Sequence, residues 1–517
     1  MRYFLLKHKY VFLLWIFISA YIAYFSYFTI LRMKTLYASY YDLGIMNQTV
    51  FNTYKGLQTG DFSRLLELTD VNGPDQIKRM SIHNDVLLAL IAPLYFIHAG
   101  PETLLVLQTC ILALGALAVF LISRLVLDKI RHRDFFALLF AGLYLLYFPL
   151  ERANIFDFHA VVLGTTFLLF MFYFWLRKKY WFSFTFFIVS ILSKEQVALT
   201  TLMFGLYTFV NRHGELPRAI LRARQSLITK LLRRFTPRND KEWYFSFFIV
   251  SFSLLWFILS VFIIIPYFRG GHHFALERYS DFGDSPTGII IGVLATPYSI
   301  IKHFVTQDIL NYFFYLLGPL SFISLLSPLV LLISLPELLI NILSNDGNMI
   351  NVIYHYTAVI TPFIFISAIY GVKKLLNFLH FKDFSFLVGV ALIFSSFLFS
   401  YFKGPLPFSK ETNIHPFLYP QKEARDVLFW SNVLRDEKYK ISTTGQLAPF
   451  FTSRRYFYNF SKYYPLADYI VLRLNEIYEY PEKEELIPVY EKLKTDYNYK
   501  LIFKRDKLEI YKKINLG

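Results

Sequence analysis

Asp42 stands in Tyr41-Asp42-Leu43-Gly44, with Asn47, Gln48 and Asn52 following at helix-like spacing, and His83 stands in Ser81-Ile82-His83-Asn84-Asp85. Further along come Asp157 and His159 in Asn154-Ile155-Phe156-Asp157-Phe158-His159, the adjacent pair Lys194-Glu195, and His355 in Tyr354-His355-Tyr356. Carboxylates and imidazoles can accept and return protons, and a Lys can stabilise an anion such as a departing phosphate. Asp157 and His159 are also candidates to hold a divalent metal ion, although two ligands at this spacing do not define a site. Each residue has a structural reading as well. Asp42 could cap a helix that starts at Leu43, Asp157 and His159 could be loop polars, Lys194 and Glu195 could snorkel at a membrane interface, and His83 and His355 could be structural histidines. Which reading holds depends on where the surrounding elements place them.

Those elements are apolar. Apolar residues make up 55% of the chain and charged residues 17%, against roughly 45–50% and 25% in soluble domains, and several runs approach the ~20 residues that span hydrocarbon. Phe and Tyr supply most of the aromatics, as broad interfacial belts require. The single cysteine, Cys110, excludes an intramolecular disulfide framework. The formal charge of +16 does not point to nucleic acid, because the Lys and Arg residues cluster in short segments between apolar runs, as the positive-inside pattern demands.

Spans and basic clusters together give an orientation. Arg2, Lys7 and Lys9 precede a run from Tyr10 to Leu31, which is too long for a signal-peptide core and reads as a retained first helix entering from the cytoplasm. A polar segment follows from Arg32 to Asp85. Val86 to Ile97 is too short to span and reads as interfacial, and the next span is Thr103 to Leu127. Phe135 to Leu150 runs outward, Glu151 to His159 is an external segment, and Val161 to Leu176 returns. Trp181 to Leu192 and Val197 to Val210 lead to the longest basic loop, Asn211 to Trp243, which suits anionic lipid better than nucleic acid. Tyr244 to Ile265, a close pair between Leu310 and Leu343 turning near Ser327 and Pro328, Tyr356 to Tyr370, and Phe384 to Phe402 complete about eleven spans.

The fold class is therefore a polytopic α-helical membrane protein. Residues 1–402 form the transmembrane module, including an external loop 32–85. With a cytoplasmic N-terminus, residues 403–517 fall outside. There Pro405, Pro407, Pro416 and Pro420 mark a linker, and the strand-like stretches Tyr439 to Thr443, Tyr469 to Leu472, Tyr499 to Phe503 and Leu508 to Tyr511 alternate with helical sequence, which indicates a small α/β domain. In this topology the ionisable residues all fall on external connections and are expected to line one cavity at the outer interface. Ionisable groups close to hydrocarbon are costly and usually mark a substrate or ion path.

Tyr41-Asp42-Leu43-Gly44, Ile82-His83-Asn84-Asp85 leading to Ala92-Pro93-Leu94-Tyr95, Phe156-Asp157-Phe158-His159 and Ser193-Lys194-Glu195 resemble the signatures of a prokaryotic membrane family, domain of unknown function 2079. Pro336-Glu337-Leu338-Leu339-Ile340-Asn341, Tyr354-His355-Tyr356 and Gln446-Leu447-Ala448-Pro449 continue the match. Asn84-Asp85 departs from it, since the family more often has an aromatic and a Ser there. That family in turn resembles the C-type glycosyltransferases, which share a first long external loop bearing an acidic residue and use lipid-linked sugar donors. The resemblance implies transfer of a sugar from a polyprenyl-phosphate donor to an acceptor outside the cytoplasm, with inversion by analogy. It makes Asp42 the base, Lys194 or His159 the stabiliser of the phosphate, and Asp157 and Glu195 the groups that orient those cations or hold a divalent metal. It adds Glu337 to His83, Asp157, His159 and His355 as substrate-binding residues. The rival reading is a transporter or flippase, against which stand the absence of an inverted repeat and the collection of charge at one face.

Overall fold

In the computed structural model, residues 2–39, 41–211, 241–296, 306–379, 384–410, 414–479 and 482–514 are described. By internal packing they form two compact units, one from 1–21, 111–153 and 161–411, the other from 22–110, 154–160 and 412–517. This division runs along different lines from the sequence boundary at residue 402, because the first polar segment packs in the same unit as the C-terminal domain.

The first unit is helical. Among the described residues four helices are long and apolar enough to cross a membrane: His8–Lys34, Pro101–Val126, Lys241–Arg269 and Phe384–Lys403. Parts of the first two belong to the other unit. A fifth is possible if Arg133–Leu145 and Phe148–Phe156, bent by 41° at their junction, count as one span. The break precedes Pro149, which has no N–H to continue the ladder. It makes most of the segment expected as an external loop, Glu151 to His159, helical up to Phe156. The apolar runs 161–176, 181–192 and 197–210 are shorter helices, Ala160–Leu176, Tyr180–Ile191 and Val197–Val210.

In a medium as apolar as the side chains, helices associate through small residues and hydrogen bonds. Ser246, Ser253 and Ser260 recur every seventh residue and are fully buried. Ser246 bonds Thr208 at 2.7 Å and Ser253 bonds Thr201 at 2.9 Å, while Gly205 lets the backbone of its helix approach Val250. The expected pair of spans between Leu310 and Leu343 is instead a series of short pieces, Gln307–Leu317, Pro328–Leu331 and Leu335–Ile342, joined by 3-10 turns. Pro319, Pro328 and Pro336 each remove a donor, and Ser321 and Phe322 hold left-handed φ of 52° and 57°. The span expected at Tyr356 to Tyr370 is displaced to Thr361–Leu379, with Pro362 in its first turn, so Lys373 and Lys374 lie within the helix. The basic residues between 212 and 240 lie outside the described residues.

The second unit combines α1 (Arg2–Lys34) from residue 22 onward, α2 (Asp42–Thr59), a hairpin of β1 (Glu67–Thr69) and β2 (Gln76–Lys78), and the C-terminal domain. Residues 86–97 fold as two short turns, Leu87–Ile91 and Ala92–Phe96, with Phe96 and Ile97 exposed. The domain holds a five-stranded sheet of β3 (Ile441–Thr443), β4 (Phe457–Asn459), β5 (Tyr469–Arg473), β6 (Tyr499–Arg505) and β7 (Leu508–Lys513) in the order β4-β3-β5-β7-β6. β3 runs parallel to β4 and β5, with Ser442 opposite Tyr458 and Ile470, and β7 runs antiparallel to β5 and β6. All four expected strands are present, while β4 and the β1–β2 hairpin carry no alternation long enough to reveal them.

Side chains alternate across this sheet. Ile470, Leu472 and Tyr511 pack with Leu486 and Tyr490 of the helix Lys483–Lys494. Ile441, Val471 and Ile510 face the other way, into a core that includes Leu36 and Tyr41 of the first polar segment.

Candidate functional site

The expected site residues fall into two groups. Asp42, His83, Asp157 and His159 belong to the second unit, and Lys194, Glu195, Glu337 and His355 to the first.

In the second unit the last turn of α1 presents Arg32. The chain leaves the helix through Leu36, which holds φ 65°, and re-enters helix at Asp42. The capping position before α2 belongs to Tyr41, whose side chain makes no cap bond, so Asp42 lies in the first helical turn and is not the cap. A carboxylate there is favoured by the helix dipole. Its side chain is 46% exposed, and His159 Nε2 lies 3.7 Å from its Oδ2.

His159 is buried against Phe156, their rings stacked at 5.7 Å, and its backbone N–H donates to Gln108 Oε1 at 3.0 Å. Gln108 in turn donates to the carbonyls of Asn154 and Asp157. Asp157 is buried and holds Arg32: Nη1 donates to Oδ1 at 2.6 Å, Nη2 donates to Ser39 Oγ at 3.0 Å, and the Ser39 N–H donates to Oδ2 at 2.9 Å. The guanidinium also lies over the Phe156 ring. Burial pushes the Asp157 carboxyl up to about 7, with the Arg32 charge pulling the other way.

This arrangement does not fit Asp157 as a metal ligand. Both of its oxygens are engaged, Oδ1 by the Arg32 guanidinium and Oδ2 by the Ser39 N–H. Its partner is also not the one expected, since Asp157 orients Arg32, which the sequence reading passed over as the start of a polar segment. A signal was available in the sequence: on the expected topology Arg32 is a basic residue on the external side, where positive charge is usually depleted. His83 follows the 3-10 turn Arg79–Ser81, where its N–H donates to the Arg79 carbonyl. Next to it, Arg79 grips the buried Asp85 carboxylate through Nε and Nη2 at 2.8–3.0 Å.

Asn47, Gln48 and Asn52 are all buried and hold α2 in place. Asn47 donates to Thr452 and Ser453, Gln48 to the Arg455 carbonyl, and Asn52 to the Glu67 carbonyl. A Cβ at Gly44 would meet Ala448 Cβ at 2.6 Å, so the glycine of the first motif lets α2 lie against the helix Ala448–Phe451, which carries part of the last.

In the first unit Lys194, Glu195 and Gln196 join the helices Tyr180–Ile191 and Val197–Val210. Lys194 and Glu195 are buried, which rules out the snorkelling reading. His273 Nδ1 accepts the Ala275 N–H at 3.1 Å, leaving Nε2–H to donate to Glu195 Oε1 at 3.1 Å. Glu195 therefore holds His273, a residue not singled out in the sequence. Gln196 donates to Glu337 Oε1 at 2.6 Å; Glu337 is fully buried, and Lys194 lies close enough for their charges to interact. His355 opens a 3-10 turn and packs on Tyr356, whose carbonyl accepts from Asn341 at 3.0 Å.

A model of the family described as "Predicted membrane protein (DUF2079)" matches residues 32–510, from Arg32 into β7. The chain belongs to the DUF2079 family. Among curated proteins no sequence matches this DUF2079 member. Among solved structures it resembles ArnT from Cupriavidus metallidurans bound to undecaprenyl phosphate, with a TM-score of 0.52 at 11% identity over 98% of this chain and 99% of that one. It also matches the archaeal oligosaccharyltransferase AglB from Archaeoglobus fulgidus, in complex with an inhibitory peptide and a dolichol-phosphate, at TM-score 0.41 and 11% identity over 96% of this chain and 74% of that one. The likeness to ArnT establishes a shared fold.

Proposed function

We propose that this protein is a membrane glycosyltransferase that moves a sugar from a polyprenyl-phosphate donor to an acceptor hydroxyl on the extracytoplasmic side. The observation that carries the reading is the setting of Asp42. It is a half-exposed carboxylate in the first turn after the first membrane helix, with the His159 imidazole at 3.7 Å and the buried Arg32–Asp157 pair behind it. The family, the fold shared with ArnT and that protein's bound undecaprenyl phosphate support it.

Asp42 accepts the proton of the acceptor hydroxyl as its oxygen bonds to the sugar carbon and the bond to phosphate breaks. His159 stabilises the charge on Asp42 and can carry its proton onward. Lys194 supplies a positive charge for the departing phosphate. Glu195, through His273, and Glu337, through Gln196, are positioning residues for the segment that carries Lys194. No step is assigned to a metal. The test is transfer from a radiolabelled polyprenyl-phosphate sugar in reconstituted vesicles. Transfer by wild type supports the reading, and movement of solute across the vesicle without any transfer replaces it with a transporter.

A further inference from the structure

Asp42 faces a cavity of about 630 Å³ within the second unit, bounded by the start of α2, the loop after β1, the loop after β4 and the start of the helix Lys483–Lys494. This volume lies within the range of sites that hold small ligands, roughly 300–1,000 Å³. We infer that this cavity is the acceptor site and that it takes a hydroxyl-rich, non-anionic acceptor, a glycan that is neutral or bears amines. The inference rests on the transferase reading given above.

Three features of the lining carry it. Tyr463 brings a half-buried aromatic ring to the lining, a surface suited to the apolar side of a sugar. Asn72 and Ser461 offer donors and acceptors suited to hydroxyls, and Asn459, whose Oδ1 accepts from the Tyr41 hydroxyl, adds its amide N–H groups. Charge decides the remainder: among the described residues of the lining, Asp42, Glu482 and Glu485 contribute three carboxylates against the one ammonium of Lys462. An anionic acceptor would meet like charge, and a phosphate would lack the guanidinium or ammonium cluster that usually holds one. The cavity is therefore unsuited to the donor phosphate and suited to the nucleophile, whose hydroxyl must reach the Asp42 carboxylate.

The experiment measures binding of trisaccharides to the full-length protein in nanodiscs by calorimetry, without donor lipid, so the result does not depend on transfer. The probes are N-acetylchitotriose (neutral), the glucosamine trimer (amine-bearing) and trigalacturonate (anionic). The first two should bind and the third should not, with the amine-bearing trimer the tightest. Ser461→Trp, which fills the cavity, should weaken both by at least tenfold. Glu482→Lys with Glu485→Lys, at two exposed positions, should lower affinity for the glucosamine trimer at least tenfold and admit trigalacturonate. Equal binding of trigalacturonate to wild type, no binding of any probe, or an unchanged preference in the double-Lys variant would each overturn the assignment. Loss of transfer in Asp42→Asn with probe binding retained would separate the acceptor site from the chemistry.

Discussion

Arg32 reaches across 125 residues of sequence to Asp157, with Nη1 2.6 Å from Oδ1, and ties the end of the first membrane helix to the loop that carries His159. The pair bears on both partners of the Asp42–His159 contact, because Arg32 stands in the last turn of the helix before Asp42 and Asp157 lies two residues before His159.

Arg32→Ala would leave the Asp157 carboxylate buried without its cation. Losing one partner of a buried pair costs about 3–5 kcal/mol, so a large fall in the melting temperature of the detergent-solubilised protein is expected. Arg32→Ala with Asp157→Ala should recover part of the loss. Arg32→Lys should not substitute fully, since one ammonium cannot reproduce the fork to Asp157 and Ser39. A melting curve unchanged by Arg32→Ala would show that the pair contributes nothing to the fold.

Asp42→Asn keeps the size of the side chain and removes the proton acceptor. If Asp42 is the base, transfer from a radiolabelled polyprenyl-phosphate sugar should fall by about 10²–10⁴-fold, with expression and melting temperature close to wild type. Near wild-type turnover would remove the base assignment. Lys194→Ala should lower both donor affinity and the chemical step.

Gly44→Ala places a methyl group against Ala448. Overpacking of this kind costs typically ~1–3 kcal/mol and should tilt the start of α2. Reduced stability and reduced turnover are expected together. Ala448→Gly in the same chain should restore turnover more than stability, because the added glycine relieves the clash and loosens its own helix. Turnover left untouched by Gly44→Ala would separate the packing of α2 from the position of Asp42.

Glu476 in the C-terminal domain is buried, accepts from the Thr444 hydroxyl and the Gln446 N–H, and is pushed by burial up to about 7 from the ordinary 4.5. Between those values the folded state holds a proton that the unfolded state has released. The contribution of Glu476 to stability therefore falls as pH rises from 4.5 to 7, and stays at its lower value above that. Melting temperatures of wild type and Glu476→Gln across pH 4.5–8 should differ in slope within this window. Parallel curves would show that the group does not titrate there.

For topology, Tyr497 in the C-terminal domain is 95% exposed and makes a good labelling site. In a Cys110→Ser background, Tyr497→Cys should react with an impermeant maleimide on intact cells, and Gln225→Cys only after permeabilisation. Labelling of Gln225→Cys from outside would reverse the orientation.

The sequence by itself placed most of the helices, carried the family resemblance and nominated Asp42, His159 and Lys194 for testing. Apolar runs, prolines and strand alternation are local, so most helices and four of the five strands of the C-terminal sheet could be placed from them. Tertiary structure decided the partners. Arg32 with Asp157, Glu195 with His273, Gly44 against Ala448 and Tyr41 within the core of the C-terminal domain are relations over tens to hundreds of residues, and no periodicity encodes them. Burial decided the roles: Asn47, Gln48 and Asn52 look like site polars in sequence, but enclosed and fully bonded they hold α2, while Asp42 remains half exposed beside a cavity. A polar side chain removed from water must spend its hydrogen bonds on its neighbours, and only the packed fold shows which side chains are still open to a substrate.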